Sequence, residues 1–362
     1  MRHDRWPMPK ITSIPRTPAA FVRAIVSVYE RRSMDPGPAL RQAGIPPEVL
    51  AAPDGRVAIE PFEALSSHAM RELDDEALGW FSRRLPWGSY GMLLRASLPS
   101  PGLDVAIRRW CRHHGLLTED VALELRVEGA EAVVRAHEAV DLGALREFCL
   151  AGLLRNLHGV ACWLADSRIA LNAARFPCPR PAHAEAYDLM FGGEIAFDAP
   201  AAELRFDAAY LELPVVRDDA VLRRLLHKPI FLMARQYRRD RLLSQRISSV
   251  IAASGAVSPS AEAIAGQLAL SPRSLQRHLQ EEGTSLLDLK AKARRLRAEE
   301  LLRRGDIPLK RVARLAGYGD ESSFGRAFRR WTGQSPGEFR RRAVPADVPP
   351  PARGRDPGKS GR

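Results

Sequence analysis

The feature that most restricts the fold of this chain is a pattern that occurs twice in its last third, at residues 261–282 and 309–331. In each copy an apolar residue and an alanine, Ile264-Ala265 or Val312-Ala313, lead into a turn, Leu270-Ser271 or Gly317-Tyr318 with Asp320. A segment follows whose apolar positions lie four apart, Leu275 and Leu279 in the first copy, Phe324 and Phe328 in the second. The small alanine lets two helices cross closely, and the turn residues stop one helix and cap the next, so each copy reads as helix, tight turn, helix. What is left on each second helix is polar and basic: Arg273, Ser274, Gln276 and Arg277 in the first, Glu321, Ser322, Arg326, Arg329 and Arg330 in the second. Such side chains reach base edges and phosphates when a helix lies in a major groove.

The surrounding residues extend this to an all-α domain over 229–342. Helices are predicted at about 230–252, 260–268, 272–281, 285–304, 308–316, 321–331 and 336–342, punctuated by Ser271-Pro272, Gly305 and Pro308. The helix at 285–304 joins the two copies. At 1.5 Å per residue it spans about 30 Å, close to the roughly 34 Å of one DNA turn. Leu286, Leu289, Ala293, Leu296 and Leu301 are its expected buried stripe. Lys290 and Arg294 are candidates for phosphate contact, whereas most of the outer charges, among them Lys292, Arg295 and Arg297, read as a solvated face.

Charge falls unevenly along the 362 residues. Residues 1–229 carry 28 lysines and arginines against 30 acids, whereas 230–342 carry 23 against 11, which equals the whole chain's formal +12. A basic unit beside a near-neutral one suggests a polyanion-binding module joined to a part with another task. A membrane surface is the competing polyanion, but it favours one basic amphipathic helix with bulky anchors rather than several short capped helices.

Residues 19–228 read as an α+β domain. Helical spacing marks Ala19–Arg32, Pro61–Arg71, Leu103–His114 and a long helix from Leu142 to Ala165, with a shorter one at Ala182–Met190. Alternating Val121, Leu123, Leu125 and Val127 face one way, Gly129-Ala130 turn, and 132–136 return as a hairpin; further strands are expected at 168–174, 194–197 and 202–206. Residues 1–18 and the proline-rich 343–362 are expected to be flexible or disordered.

The second copy and its flank, Val312-Ala313, Gly317-Tyr318, Asp320, Ser322, Phe324, Arg326, Phe328-Arg329-Arg330, Gly333, Ser335-Pro336 and Phe339-Arg340, resemble the C-terminal signature of the AraC/XylS family of transcription regulators. Leu270-Ser271, Arg273, Leu275, Arg277, Leu279 and Gly283-Thr284-Ser285 resemble its first unit; Gly325 departs from the usual serine. More weakly, Gly88-Ser89-Tyr90-Gly91, Leu98-Pro99-Ser100-Pro101, Ala106-Ile107, Phe191-Gly192, Ile195-Ala196-Phe197 and Leu213-Pro214 resemble the arabinose-binding-like N-terminal domain of one branch, a label that predicts no ligand. The resemblance implies a sensor and dimerisation domain ahead of the DNA-binding domain, with double-stranded DNA, a small-molecule effector, RNA polymerase and a second copy of the chain as partners.

For an effector pocket, Trp87, Tyr90 and Arg95 are the candidates. Metal binding is not expected: His158 with Cys162, and Cys111 with His113 and His114, are incomplete sets, and the four cysteines Cys111, Cys149, Cys162 and Cys178 are too widely spaced for a disulfide framework. No cofactor is expected, and no GxSxG, P-loop, GxGxxG or HExxH motif advertises catalysis. A DNA-repair methyl acceptor would need cysteines clustered near the N-terminus, and an architectural DNA-bending protein would leave the first domain without a task. No apolar run approaches a membrane span, Met1–Lys10 lacks a signal-peptide core, and the expected location is the cytoplasm.

Overall fold

The computed structural model describes residues 16–52, 55–225, 240–255 and 258–343. The chain divides into two compact units, residues 1–245 and 246–362. The first is α+β. In chain order it contains β1 (Arg16–Pro18), α1 (Ala19–Arg31), α2 (Gly37–Ala43), α3 (Pro47–Ala51), β2 (Arg56–Ala58), α4 (Ile59–Glu72), α5 (Ser89–Ser97), α6 (Leu103–Leu117), β3 (Val121–Glu128), β4 (Glu131–Glu138), α7 (Arg146–Ala165), β5 (Leu171–Arg175), α8 (Glu185–Met190), β6 (Glu194–Ala196), β7 (Ala202–Asp207) and α9 (Asp219–Leu225). The main sheet has the order β3-β4-β7-β5-β6, antiparallel except where β5 pairs with β6. One sheet face supplies Val121, Leu123, Leu125, Val134 and Leu204 to the core; α6 packs on β3, and α7 contacts α6 and β7. On the strands β4, β5 and β7, Arg135, Arg175 and Arg205 surround the buried Glu203 carboxylate at 2.8–3.0 Å.

Several sequence expectations are corrected here. Order begins before Ala19, because Arg16–Pro18 pairs antiparallel with Arg56–Ala58, a two-stranded ribbon in which a proline without an N–H is tolerated. The long helix is apolar on nearly all sides, and the stretch Gly143–Ala165 is long and apolar enough to cross a membrane, contrary to the expectation that no run approaches that length. In the fold nearly all of this stretch is buried, as a central core helix requires. Its first residues, Gly143–Leu145, form a 3₁₀ turn, with the Gly143 N–H donating to the Asp141 carboxylate. Helix α8 starts at Glu185 rather than Ala182, and β5 starts at Leu171 rather than Arg168. Val127, at the hairpin end of β3, is half exposed although it lies in register with the buried positions. Short α2 and α3 and the nine-residue α5 carry too few turns for periodicity to reveal them.

From residue 246 onward the described residues are helical or in turns. Helix α10 (Leu242–Ala253) leads from the first unit into α11 (Ala261–Gln267), α12 (Pro272–Glu281), α13 (Leu286–Arg303), α14 (Leu309–Leu315), α15 (Glu321–Thr332) and α16 (Pro336–Ala343). The expected helix at 230–252 lies outside the described residues before 240, as do 1–15 and 344–362 of the expected flexible ends; Ala343 itself closes α16.

The linker helix α13 corrects the single-stripe expectation. Leu289 is buried near its start, while Ala298, Leu301 and Leu302 are buried near its end against Val312, Ala313, Phe324 and Phe328. Ala298 follows Leu289 by nine residues, or two and a half turns, so the helix buries opposite sides at its two ends. Leu296, two turns beyond Leu289, lies on that helix's uncovered side there and is 55% exposed.

Candidate nucleic-acid interface

Both helix-turn-helix units are built by the same backbone device. The Leu270 N–H donates to the Ala265 carbonyl at 2.9 Å, and the Tyr318 N–H to the Ala313 carbonyl at 2.9 Å. The residue just before each donor turns left-handed, Ala269 at φ 54° and Gly317 at φ 81°. Glycine meets this at no steric cost, whereas an alanine there is strained. One helix then ends, and a side chain starts the next. The Ser271 hydroxyl accepts the Ser274 N–H at 3.0 Å, and the Asp320 carboxylate accepts the Ser323 N–H at 2.7 Å. That backbone hydrogen bond holds the Asp320 carboxyl below its ordinary range.

Capped in this way, each second helix turns its apolar residues inward and its polar ones to solvent. Leu275 and Leu279 are buried on α12, Phe324, Ala327 and Phe328 on α15. Arg273, Gln276 and Arg277 are exposed on α12, while Ser274 is half-buried and its hydroxyl is engaged by Ser271 at 2.9 Å. On α15, Glu321, Ser322, Arg326, Arg329 and Arg330 are all exposed. Ser322, Arg326, Arg329 and Arg330 come together with Gly325, Ser335 and Pro336 around a groove of about 450 Å³. Ser335, just before α16, carries part of the family resemblance but is not among the candidate DNA contacts read from the sequence; its signal is the Ser-Pro pair, the same helix-start punctuation as Ser271-Pro272. On α13, Lys290 and Arg294 are half-buried, and the Arg294 guanidinium lies over the Tyr318 ring at 5.7 Å. Gly325 faces open space where a Cβ would be, so this departure from the family pattern is not enforced by packing.

The N-terminal candidates separate. Trp87 is exposed beneath the Arg71 guanidinium at 4.6 Å, and Arg95 is exposed and paired with Asp219 at 3.2 Å. Tyr90 is half-buried, and its hydroxyl is covered and without a hydrogen-bond partner. Of the paired metal candidates, His158 and Cys162 are engaged otherwise. Arg155, always a donor, lies 3.0 Å from His158 Nδ1, so Nε2 carries the proton and donates to the Ile169 carbonyl at 2.9 Å. Burial, with Arg155 beside it, pulls His158 down to about 3 and leaves it neutral. Burial pushes the Cys162 thiol up to about 11 and Cys111 up to about 12. Among the described residues no group of three or more histidines, cysteines or acids is placed to hold a metal.

Two capped helix-turn-helix units joined by one helix define a tandem DNA-binding protein. Residues 264–342 match a helix-turn-helix domain family, and residues 34–215 match the family described as the arabinose-binding domain of AraC transcription regulator, N-terminal. The chain is 31% identical to the ornithine utilization regulator of Pseudomonas aeruginosa over 89% of this chain and 96% of that one. It is 28% identical to the transcriptional regulator VirS of Mycobacterium tuberculosis over 84% of this chain and 91% of that one. To VqsM of P. aeruginosa it is 43% identical over 82 residues, 23% of this chain and 25% of that one. The chain belongs to the AraC family of transcription regulators.

Proposed function

We propose that the protein regulates transcription in the cytoplasm as a homodimer whose N-terminal unit binds a small-molecule effector and whose α12 and α15 enter successive major grooves. The observation that carries this reading is the pair of capped, outwardly basic helices joined by the 18-residue α13, about 27 Å long. A spacer of that length suits recognition helices about one DNA turn apart.

In this reading the two helices divide the work. Arg273, Gln276 and Arg277 lie in the first turns of α12, where arginine and glutamine can pair with guanine or adenine edges. Ser274, beside them, has a hydroxyl that already serves the cap. On α15, counted from the caps Ser271 and Asp320, Ser322 and Arg326 match Arg273 and Arg277, Gly325 stands opposite Gln276, and Glu321 shares the first turn with Ser322 as a further candidate for base contact. Arg329 and Arg330, toward the end of α15, serve the phosphate track together with Lys290 and Arg294. RNA polymerase is the further partner of a regulator that activates.

The test is a binding titration of the full chain on duplex with and without Arg273→Ala and Arg330→Ala. Loss of Arg273 is expected to cost about 1–3 kcal/mol on the preferred site and far less on random duplex. Loss of Arg330 weakens both alike and lowers the salt slope by about 1. Equal loss on both duplexes for Arg273→Ala refutes the division. Sedimentation showing only monomer at micromolar concentration, on and off DNA, refutes the dimer.

A further inference from the structure

Among the described residues of the N-terminal unit six polar atoms are buried with no hydrogen-bond partner: the indole Nε1 of Trp80 and of Trp110, the Tyr90 hydroxyl, His113 Nδ1 and both ring nitrogens of His114. All but His113 Nδ1 belong to one continuous set of rings. Tyr90 stacks on Trp110 with centroids 6.0 Å apart and lies 6.3 Å from His114; His114 meets Phe81 at 5.8 Å, Phe81 meets Trp80 at 6.2 Å, and Trp80 meets Phe148 at 5.3 Å. These residues come from α5, α6, α7 and the loop after α4. Helix α7 sits close against the set, since a Cβ on Gly152 would lie 2.7 Å from the Trp80 ring.

Buried polar groups are almost always paired, so a single orphan is a packing compromise. Orphans on three adjoining side chains, Tyr90, Trp110 and His114, with a fourth on Trp80 beyond Phe81, are an unmet demand for partners. The demand is mostly for acceptors: an indole N–H only donates, a tyrosine hydroxyl donates and accepts, and a neutral histidine does one of each. Burial pulls His114 down to about 4, with the Val121 backbone pulling weakly the other way, so it is neutral. The nearby acids are already committed. Asp75 accepts the N–H groups of Ala77, Gly79 and Leu85 and pairs with Arg32, and Glu76 accepts those of Gly88 and Tyr90. The ring set contains no lysine or arginine, so an anion placed there would be buried without a counter-charge, and a cation would meet only carboxylates already held by Arg32 or by backbone N–H groups. Tyr90 is half-buried although its hydroxyl is fully covered, so its ring is the wall between this site and solvent.

We propose that this ring set is the effector site of the N-terminal unit and that it takes a small uncharged aromatic molecule bearing a carbonyl-type acceptor, bound by Tyr90, Trp110 and His114 with Trp80 at its far side beyond Phe81. It rests on the reading that the N-terminal unit senses an effector, and it supplies the place and the ligand class. Trp80, Trp110 and His114 were not among the sequence candidates for an effector site; the signal available was a histidine four residues after a tryptophan on the apolar stripe of α6.

The test uses the full chain with benzamide as probe, benzoate and benzylammonium as charged counterparts, and ligand-observed NMR titration. Benzamide is expected to bind saturably to the wild type and to Arg95→Ala, and about tenfold more weakly to Tyr90→Phe and Trp110→Phe. The charged counterparts are expected not to bind. Without probe, Tyr90→Phe is expected to melt at or above the wild-type temperature, because it removes an unpaired hydroxyl; a lower melting temperature means the hydroxyl already has a structural partner and overturns the proposal. Absence of saturable benzamide binding, or equal binding by Tyr90→Phe, overturns it as well. A parallel DNA titration separates the two claims. Tyr90-dependent probe binding that leaves DNA affinity unchanged keeps the site and refutes effector control, and a compound that shifts DNA affinity equally in wild type and Tyr90→Phe does the reverse.

Discussion

The two units keep their chemistry in opposite places. The N-terminal unit holds it inside, in neutral histidines, protonated thiols and unpaired indole and phenol groups packed among aromatic rings. The C-terminal unit displays it, with Arg273, Arg277, Arg326, Arg329 and Arg330 exposed on two short helices whose apolar sides are filled by leucine or phenylalanine. The same physics separates their responses. Exposed charges facing a polyanion answer to salt, because ions compete with them. Buried titratable groups answer to pH, because burial shifts where they take up a proton.

The largest expected effect belongs to the exposed surface. DNA affinity of the full chain is expected to fall roughly a thousandfold between about 50 and 200 mM salt, as displaced counterions return to the duplex. Titrations at several salt concentrations check it, and a flat line would remove the electrostatic half of the comparison.

Acid is expected to act on the other unit. His114 titrates near 4 in the folded state against about 6.5 when unfolded, and His158 near 3. Between these values the unfolded chain binds more protons, so stability is full above about pH 6.5 and is lost as pH falls. His114 alone accounts for about 3 kcal/mol by pH 4. Urea melts followed by tryptophan fluorescence report mainly on the N-terminal unit, which holds Trp80, Trp87, Trp110 and Trp163. A melt unchanged between pH 7 and 4 would show that these histidines are not buried neutral.

A smaller effect compares the two units' turns through one backbone angle. Gly317→Ala is expected to cost about 1 kcal/mol at the left-handed position, whereas Ala269→Gly at the matching position gains up to about 1 kcal/mol as strain relief exceeds the added unfolded-state entropy. Gly325→Ala, with open space at the new Cβ, is expected to stabilise α15 by a similar amount. Thermal melts of the three variants decide the signs.

The contrast between units also explains what could be read from the sequence. The start of α12 was legible because Ser271 and Pro272 cap and open the helix through local chemistry alone, and the DNA-facing residues followed from it as the polar remainder of an amphipathic helix. The stripe on α13 was misread at Leu296 because which side of a helix is covered depends on the neighbours at each end. In the N-terminal unit the hairpin and long helices showed their periods, but Arg16–Pro18 pairs with a strand some 40 residues later that proline content alone does not announce. The ring set was illegible for the same reason: Trp80, Tyr90, Trp110 and His114 meet only through tertiary packing.

The central claim, that two recognition helices read DNA one turn apart with unequal roles, is tested most directly by selecting binding sites from randomised duplex with the wild type, Arg273→Ala and Arg330→Ala. The account predicts two conserved blocks about 10 base pairs apart within the half-site of each wild-type protomer. Arg273→Ala is predicted to blur one block and leave the other, and Arg330→Ala to recover both blocks at lower yield. A single block for the wild type, or Arg273→Ala retaining both blocks while Arg330→Ala changes one, would contradict it.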